Sequence, residues 1–472
     1  MSQPSAAPAP SRAGTDLTVG SIPRHLITFS IPLLMGSMIQ TLYGVVNAVW
    51  VGQGLGPEAL AAVTCGFPII FLFIAISGGL TMGASILVSQ KYGARDFQGV
   101  QTVVQTAFWL TLLIAGFCFL AGQASVEKLL HLMQTPPEVL TIAASYLKLY
   151  LWTTPSMFLL FLTSSTLRGV GDAKTPLRFQ AWALLATAIL DPFLMCGWLG
   201  LPRLGLNGTA TATIMTQAAA VLLLIRDLHR RNHIVSPHLL EPRIDGATAR
   251  HMLRIGIPSM IQQSLVSIGM LVITSMVNTF GKDATAAFGA ASRFDQVTFL
   301  PAMTIGMAAA SLSGQNIGAG RYDRVRQVFR WAAGLSVGIT FLPACAAFFF
   351  PEPILRLFAS DPAVLAIGRG YLRIIAPGSL FFSVMFASNG VINGAGHTVA
   401  TTVFTLIGMW LVRVPAAWWL SHHWNSVEGV WWGVTLGFMG GLAASLSYYL
   451  LGNWQKPVNK PVAPAPEAET AR

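Results

Sequence analysis

Long apolar runs alternate with short charged segments along almost the whole chain. No Asp, Glu, Lys or Arg lies between Arg24 and Glu58, between Glu58 and Lys91, or between Asp96 and Glu127, and six similar gaps follow. A helix needs about 20 predominantly apolar residues to cross the hydrocarbon core of a bilayer. Each gap therefore predicts one transmembrane helix.

Three more helices come from interrupted or merged gaps, which brings the prediction to twelve. Segment 177–200 is interrupted by Asp191, segment 284–312 contains Arg293 and Asp295, and segment 374–412 is long enough for one helix and the start of another. The predicted apolar cores are residues 27–50, 60–83, 102–122, 144–166, 178–199, 206–225, 256–280, 287–312, 330–350, 371–392, 400–420 and 429–451.

Composition supports an all-α integral membrane protein. Of 472 residues, 53% are hydrophobic and only 10% are charged, too few charges to cover a soluble protein of this length. The net charge of +11 raises the question of a nucleic-acid partner. Most Lys and Arg residues, however, lie in the tails and in the even-numbered turns, which predicts that these are cytoplasmic and that the protein binds no nucleic acid.

An internal repeat divides the chain into two lobes. "GPEALAAV" at 56–63 matches "GKDATAAF" at 281–288, "QKYGA" at 90–94 matches "QNIGA" at 315–319, and "YLK" at 146–148 matches "YLR" at 371–373, all offset by 225 residues. Two pseudo-symmetric six-helix lobes are expected, related by an axis along the membrane normal and facing each other across a cleft.

The repeat sets the predicted domain boundaries. They are a disordered cytoplasmic tail at 1–25, an N-lobe at 26–225, a basic cytoplasmic linker at 226–254, a C-lobe at 255–451 and a second disordered tail at 452–472.

Motifs for energy-coupling nucleotides and for enzymes are absent from the sequence. Nothing matches GxxxxGK[ST], HExxH or GxSxG at a membrane face. The protein is therefore expected to be no enzyme and to need no cofactor, and any work it does must come from an ion gradient. Charged groups inside helices then become the candidate sites, because carboxylates in a membrane are energetically costly and usually functional. Two stand out, Asp191 and Asp295.

Residues 22–450 resemble the multidrug and toxic compound extrusion family. The resemblance rests on "VWVGQGLGPEALAA", "ASILVSQKYGAR", "STLRGVGDAKTP", "LDPFL", "NGTATATIMTQ", "FGAASRFDQVTFLPA" and "GQNIGAGR". It implies an antiporter that exports organic, cationic or amphiphilic compounds in exchange for H+ or Na+, built as a V-shaped pair of lobes around a cavity.

The resemblance assigns the N-lobe site to the fifth predicted helix. Asp191 matches the family's aspartate, Thr213 matches a family threonine near it, and Thr187 stands one helical turn before Asp191 where some relatives have Asn. Many relatives carry a second carboxylate in the first helix, and here that position is Asn47. An amide can bind a cation through its oxygen but cannot carry a proton. Asn47 is thus either a cavity residue that does not titrate or a structural amide, and Asp191 is either a coupling group or a helix cap at Pro192.

The resemblance assigns Asp295 to a C-lobe site, with Na+ as a possible ligand. Relatives coupled through this lobe often have a glutamate in the seventh helix, where this chain offers only neutral groups such as Gln262 and Gln263. Arg293 is two residues from Asp295, so the two side chains are expected on different helix faces. The alternative is a structural bond from Asp295 to the region of Arg373 or Arg413. The polar residues predicted to line the cavity are Gln40, Asn47, Thr187, Thr213, Gln262, Gln263 and Arg293.

The expected partners are a small organic substrate and membrane lipid, and the expected state is a monomer in a bacterial inner membrane with both termini cytoplasmic. Two alternatives remain open at this stage. A lipid-linked oligosaccharide flippase of the same superfamily would have fourteen helices and a strongly basic cavity, and a passive channel would need no coupling ion.

Overall fold

The computed structural model describes residues 14–133, 135–200, 202–239, 241–452 and 454–455. These residues are almost entirely helical, as predicted. The α-helices are α1 Ile22–Leu55, α2 Pro57–Gly93, α3 Phe97–Leu132, α4 Pro137–Tyr150, α5 Thr154–Gly169, α6 Lys174–Cys196, α7 Leu206–Arg230, α8 Gly246–Asn278, α9 Lys282–Gly318, α10 Tyr322–Phe349, α11 Pro351–Leu355, α12 Pro362–Gly394, α13 Thr398–Thr405, α14 Val414–Trp424 and α15 Glu428–Leu451.

Twelve membrane crossings account for these helices. Within the described residues, eleven segments are long and apolar enough to cross a membrane, with Thr398–Trp424 counted as one. The remaining crossing is α4 followed by α5, joined by the 3₁₀ turn Leu151–Thr153. Pro155, near the start of α5, explains the break, because it lacks an N–H and its ring excludes a regular helical turn before it. In the eleventh crossing, the π-helical segment Leu406–Arg413 joins α13 to α14.

Each lobe has its own core near one membrane face, and the two lobes share a core near the other. One buried cluster holds only N-lobe residues from Val51 to Ala210, and another holds only C-lobe residues from Ile273 to Phe438. Two further clusters mix both lobes and lie at the helix ends near the chain termini. We call this face the terminal side. The lobes are thus packed together at the terminal side, while each has a separate core at the opposite side.

Helices α2 and α9 cross where the lobes meet. A Cβ atom added to Gly93 would lie 1.9 Å from the carbonyl oxygen of Gln315, and one added to Gly318 would lie 1.9 Å from that of Gln90. These four positions exchange under the 225-residue repeat. Backbones this close require glycine, so the "QKYG" and "QNIG" motifs of the repeat mark the crossing point.

The predicted boundaries differ from the structure at both ends of the chain. Residues 1–13, 453 and 456–472 of the two predicted tails lie outside the described residues. Residues 14–21, assigned to the disordered tail, instead have a defined conformation in which Leu17 is buried, and α1 begins at Ile22. Trp454 is also buried, and it stacks on Tyr449 with ring centroids 5.2 Å apart. Apolar side chains within otherwise polar ends explain both differences.

The connection between the lobes is shorter than the predicted linker 226–254, because α7 continues to Arg230 and α8 begins at Gly246. The charged ends of these helices extend past their apolar cores. The connection itself docks on α3, where Gln105 accepts a hydrogen bond from the His238 N–H at 2.8 Å and the Thr106 hydroxyl accepts one from the Asp245 N–H at 3.1 Å.

Candidate ion-coupling sites in the two lobes

Asp191 of α6 is buried in the N-lobe on the side that meets α1, with 0% of its surface exposed. The amide of Asn47 donates a hydrogen bond to its Oδ2 atom at 3.0 Å, and the hydroxyl of Tyr43 donates to the same atom at 3.4 Å. Among the described residues, Oδ1 has no hydrogen-bond partner, and Asp191 has no ion pair. Asn47 therefore faces Asp191 directly, and one carboxylate oxygen remains free to take a proton or a cation.

Tyrosine side chains from α1 and α4 lie near this carboxylate. Tyr43 on α1 and Tyr146 on α4 both interact electrostatically with Asp191. Tyr150 lies one turn from Tyr146, with ring centroids 5.7 Å apart. The site thus combines one carboxylate on α6 with two neutral donors on α1, and the tyrosines of α4 lie nearby.

The other predicted N-lobe residues lie close by in different roles. The Thr187 hydroxyl bonds to the Ala183 carbonyl at 2.7 Å and lies 2.6 Å from the Thr216 hydroxyl. Thr213 donates to the Thr209 carbonyl at 2.9 Å and also interacts with Tyr43. Gln40 shares the helix face of Asn47 two turns earlier and is exposed.

Asp295 is buried in the C-lobe, with 9% of its surface exposed. The hydroxyl of Tyr371 on α12 donates a short hydrogen bond to its Oδ2 atom. Tyr371 is the repeat partner of Tyr146, but the tyrosine that donates to the N-lobe carboxylate is Tyr43 on α1. The carboxylates themselves occupy positions that the repeat does not relate.

Arg413 extends the C-lobe site. It ends the π-helical segment, is buried, and places its guanidinium carbon 4.5 Å from the centroid of the Phe438 ring. It interacts electrostatically with Tyr371. Among the described residues, Arg413 forms no ion pair, and its Nε has no hydrogen-bond partner. The structure therefore places Arg413 within electrostatic range of Tyr371, the hydrogen-bond partner of Asp295, and among the described residues Asp295 and Arg413 form no direct salt bridge.

The predicted neutral partners of Asp295 point elsewhere. Gln262 donates to the Thr405 hydroxyl at 3.0 Å, and Gln263 is exposed. Arg293 is also exposed, on a different side of α9 from the buried Asp295, as the spacing predicts. The hydrogen bonds therefore give Asp295 a partner on α12 and give Gln262 a partner on α13.

The space beside Asp295 is small. A pocket of about 10 Å³ lies against its side chain and is lined mainly by apolar groups, with Thr298 and Ser379 as the other polar residues. That volume holds about one water molecule. The pocket has room for a small ion or a proton-bound water, and none for an organic compound.

Sequence reasoning missed the tyrosines at both carboxylates. Tyr146 and Tyr371 head the repeated "YLK" and "YLR" motifs, so their matched positions were visible. What the sequence did not show was that Tyr371 donates a hydrogen bond to Asp295 and that Tyr146 lies within electrostatic range of Asp191.

A comparison with family models bears directly on the two-lobe arrangement. The MatE family model matches residues 32–193 and, a second time, residues 258–419, one match in each lobe. The chain belongs to the MatE family. This MatE chain is 32% identical over 433 residues to "Probable multidrug resistance protein YoeA" of Bacillus subtilis (strain 168), which covers 91% of this chain and 94% of the relative.

Two further comparisons agree with this membership. "Probable multidrug resistance protein YpnP" of the same organism is 31% identical over 441 residues, covering 93% of this chain and 97% of that protein. The crystal structure described as "MATE in complex with MaD3S" matches with a TM-score of 0.85 at 24% identity, over 93% of this chain and 97% of that one. MatE proteins are transporters rather than enzymes, so this MatE protein is a multi-pass membrane transporter.

Proposed function

We propose that this protein is an efflux antiporter that exports organic, cationic or amphiphilic compounds and takes protons in exchange. The observation that carries the proposal is the pair of buried carboxylates, one per lobe, each bound by neutral donors. Relatives named as multidrug resistance proteins support the export of organic compounds.

Charge balance explains why these carboxylates suit ion coupling. An ionised carboxylate at the centre of a bilayer costs about 3 kcal/mol or more unless it is compensated. Tyrosine and asparagine donors stabilise Asp191 and Asp295 without neutralising them. A proton or a monovalent cation completes the charge balance, and its release restores the unbalanced state.

Protons fit the two sites better than Na+. A hard cation needs a shell of several oxygen ligands. The space beside Asp295 is lined chiefly by Phe, Leu, Ile and Ala side chains, and its two hydroxyls donate to backbone carbonyls. At Asp191, the Asn47 amide is oriented with its N–H toward the carboxylate. A proton needs only one carboxylate oxygen, and Oδ1 of Asp191 supplies one.

The packing of the lobes supports a direction for the exchange. The lobes are closed at the terminal side and separate at the other side, which is one of the two states that alternating access requires. We place the terminal side in the cytoplasm of a bacterium, in line with the distribution of Lys and Arg. Protons then load the carboxylates from outside, and the organic compound enters from the cytoplasm after the lobes reverse.

The flippase alternative receives less support. The described residues hold eleven candidate spans and the pair α4 and α5, which make twelve crossings where fourteen were expected for a flippase. Arg413 is a buried cation near the C-lobe site. A passive channel is the main competing function. A channel would carry the dye at the same rate with or without an imposed proton or Na+ gradient.

The decisive experiment measures efflux of a cationic dye from proteoliposomes under a proton gradient, a Na+ gradient or neither. We expect the proton gradient to drive dye transport and the Na+ gradient to have no effect. Dye flux that is equal in all three conditions would indicate a channel. Flux driven only by Na+ would refute proton coupling.

Carboxylate variants assign the coupling to a lobe. We expect Asp191→Asn and Asp295→Asn each to lower gradient-driven efflux by about tenfold or more, since each removes a titratable group from the membrane interior. Asp323→Asn, which removes an exposed carboxylate at the start of α10, is the matched control and should transport normally. Normal coupling in either interior variant would exclude that lobe.

A further inference from the structure

The segment before the first helix connects the two lobes across the terminal side. Thr15 donates its N–H to the Val170 carbonyl of the N-lobe at 3.0 Å. Two residues later, the Leu17 N–H donates to Oε1 of Gln315 in the C-lobe at 2.9 Å. We call residues 15–20 the N-terminal clasp.

Side chains of the C-lobe hold the clasp mainly by donating hydrogen bonds to the backbone carbonyls of the clasp. Asn316 donates to the Leu17 carbonyl at 3.2 Å, Arg321 donates to the Thr18 carbonyl at 2.7 Å, and Arg324 donates to the Gly20 carbonyl at 3.0 Å. The Leu17 side chain is 2% exposed and belongs to the buried cluster that includes Leu312 and Ile317. The clasp is therefore held both by hydrogen bonds to its backbone and by the buried side chain of Leu17, which we call its apolar anchor.

Gln315 connects the clasp to the lobe boundary itself. Its Oε1 atom accepts from Leu17, and its Nε2 atom donates to the Gly169 carbonyl of the N-lobe at 2.9 Å. One side chain thus joins the clasp, α9 and the end of α5. Separation of the lobes on this side would break both bonds.

The connection between the lobes occupies, in the N-lobe, the position that the clasp occupies in the C-lobe. Residues before α8 dock on α3 of the N-lobe, at Gln105 and Thr106, just as residues before α1 dock on the start of α10 in the C-lobe. Helices α3 and α10 are the third crossings of their lobes. The connection is covalently continuous with the helices of both lobes, whereas the clasp is continuous with α1 of the N-lobe and meets the C-lobe through non-covalent contacts.

We propose that the N-terminal clasp holds the terminal side closed and must leave its C-lobe partners before a substrate can enter from that side. The clasp continues directly into α1 and is bonded to the N-lobe at Val170, so its C-lobe contacts exist only while the lobes are together. Interactions present in one state and lost in the other shift the equilibrium toward the first. The inference rests on the alternating-access part of the proposed function.

A buried reporter at the lobe boundary tests this without any transport measurement. Ser89 of α2 is buried against Gly314 of α9. In a background where the native cysteines are replaced, Ser89→Cys should react with a membrane-impermeant maleimide only when the terminal side opens, at a rate proportional to the open fraction. The replaced residues are Cys65, Cys118, Cys196 and Cys345.

Two charge-matched double variants make the first comparison. Arg321→Ala with Arg324→Ala removes two donors to the clasp, and we expect the labelling rate to rise by about tenfold, since each lost bond is worth roughly a fewfold in population. Arg326→Ala with Arg330→Ala removes two charges from the same helix, and Arg326 pairs with Asp323 of that helix. The labelling rate of this control should stay within about twofold of the parent.

A second pair addresses the apolar anchor. Leu17→Asn should also raise labelling, whereas Val19→Asn changes a side chain that is already exposed and should not. If Leu17→Asn gives no folded protein, the arginine comparison decides alone, because Arg321 caps the start of α10 and Arg324 lies in its first turn, outside the apolar span.

The outcomes separate the clasp from the transport function. The clasp would be overturned by unchanged labelling in the variant at Arg321 and Arg324. Equal increases in this variant and in the control at Arg326 and Arg330 would also overturn it. Increased labelling of the variant at Arg321 and Arg324, together with no gradient-driven efflux by the parent protein, would uphold the clasp and refute the antiporter.

Discussion

Gln90 and Gln315 make the same hydrogen bond in opposite directions across the lobe boundary, but only Gln315 also binds the N-terminal clasp. Gln90 donates to the Gly394 carbonyl and Gln315 donates to the Gly169 carbonyl, both at 2.9 Å, and the 225-residue repeat exchanges the two bonds. The Oε1 atom of Gln315 additionally accepts from Leu17. The pseudo-symmetric crossing is therefore reinforced on one side by a bond to the clasp that the repeat does not copy.

The glycines at this crossing should be intolerant of a methyl group. Gly93→Ala should lower the free energy of unfolding by about 1–3 kcal/mol, because the added Cβ meets the backbone of α9. Gly338→Ala is the control, since it lies within α10 with no atom of the described residues within 4 Å. It should be neutral or stabilising by up to about 1 kcal/mol. Thermal unfolding in detergent measures both, and equal stability of the two variants would contradict the close approach.

Restoring a carboxylate at Asn47 should change the pH dependence of transport. Asn47 contacts Asp191 at 3.0 Å, so Asn47→Asp places two carboxylates in one site that share protons. We expect the profile of dye efflux against pH to shift or to gain a second step, and Asp191→Asn to abolish that step. A profile unchanged by both substitutions would identify Asn47 as a structural amide between helices.

Loss of the Tyr371 hydroxyl should destabilise the folded protein by removing a hydrogen bond to Asp295. Tyr371→Phe removes the donor to a buried carboxylate, at an expected cost of about 1–3 kcal/mol in unfolding free energy. The cost should largely vanish in the double variant with Asp295→Asn, which gives a measurable coupling energy. Tyr449→Phe, at a buried ring remote from both carboxylates in the sequence, is the control. Additive single effects would show that the hydroxyl does not act through Asp295.

Opening of the clasp should be insensitive to pH near neutrality. Asp16 is partly desolvated, which opposes ionisation, but hydrogen bonds from Thr18 and nearby arginine charges outweigh this and lower the pKa of Asp16 below its ordinary value. A group with a lowered pKa contributes stability above its unfolded pKa of about 3.9 and loses it as the pH falls through the lower folded value.

The labelling of Ser89→Cys tests this directly. Because Asp16 is ionised throughout this range, the fraction of molecules open at the terminal side should be the same at about pH 6 and pH 8, after correction for thiol reactivity. Asp16→Asn should raise this open fraction by about two- to fivefold at both pH values, as expected for a partly exposed charge. A strong rise in opening between these two pH values would assign the control of the clasp to another group.

Topology can be tested at two exposed charged positions. Arg243, in the connection between the lobes, has 82% of its side chain exposed, and Lys282 begins α9 at the opposite side. In a cysteine-free background, an impermeant maleimide added outside intact cells should label Lys282→Cys and leave Arg243→Cys unlabelled. The reverse pattern would place the terminal side outside the cell.

The sequence by itself determined the helices, their number and their twofold repeat. Uncharged runs long enough to cross a bilayer define helices locally, because each backbone group in lipid must be bonded within its own segment. Repeated motifs such as "QKYG" and "QNIG" fixed the two-lobe plan and marked the glycines that later proved to lie at the crossing. Asp191 and Asp295 were also visible, since an acidic residue inside an apolar run stands out.

Only the tertiary structure decided which side chains meet. Asp295 binds Tyr371, 76 positions away, rather than the expected Gln262, which binds Thr405. Leu17 leaves a polar tail to bond with Gln315, 298 positions away. Helix formation depends on neighbours within about four residues, whereas these contacts depend on the rotation and packing of whole helices. A sequence pattern fixes the first and leaves the second to the fold.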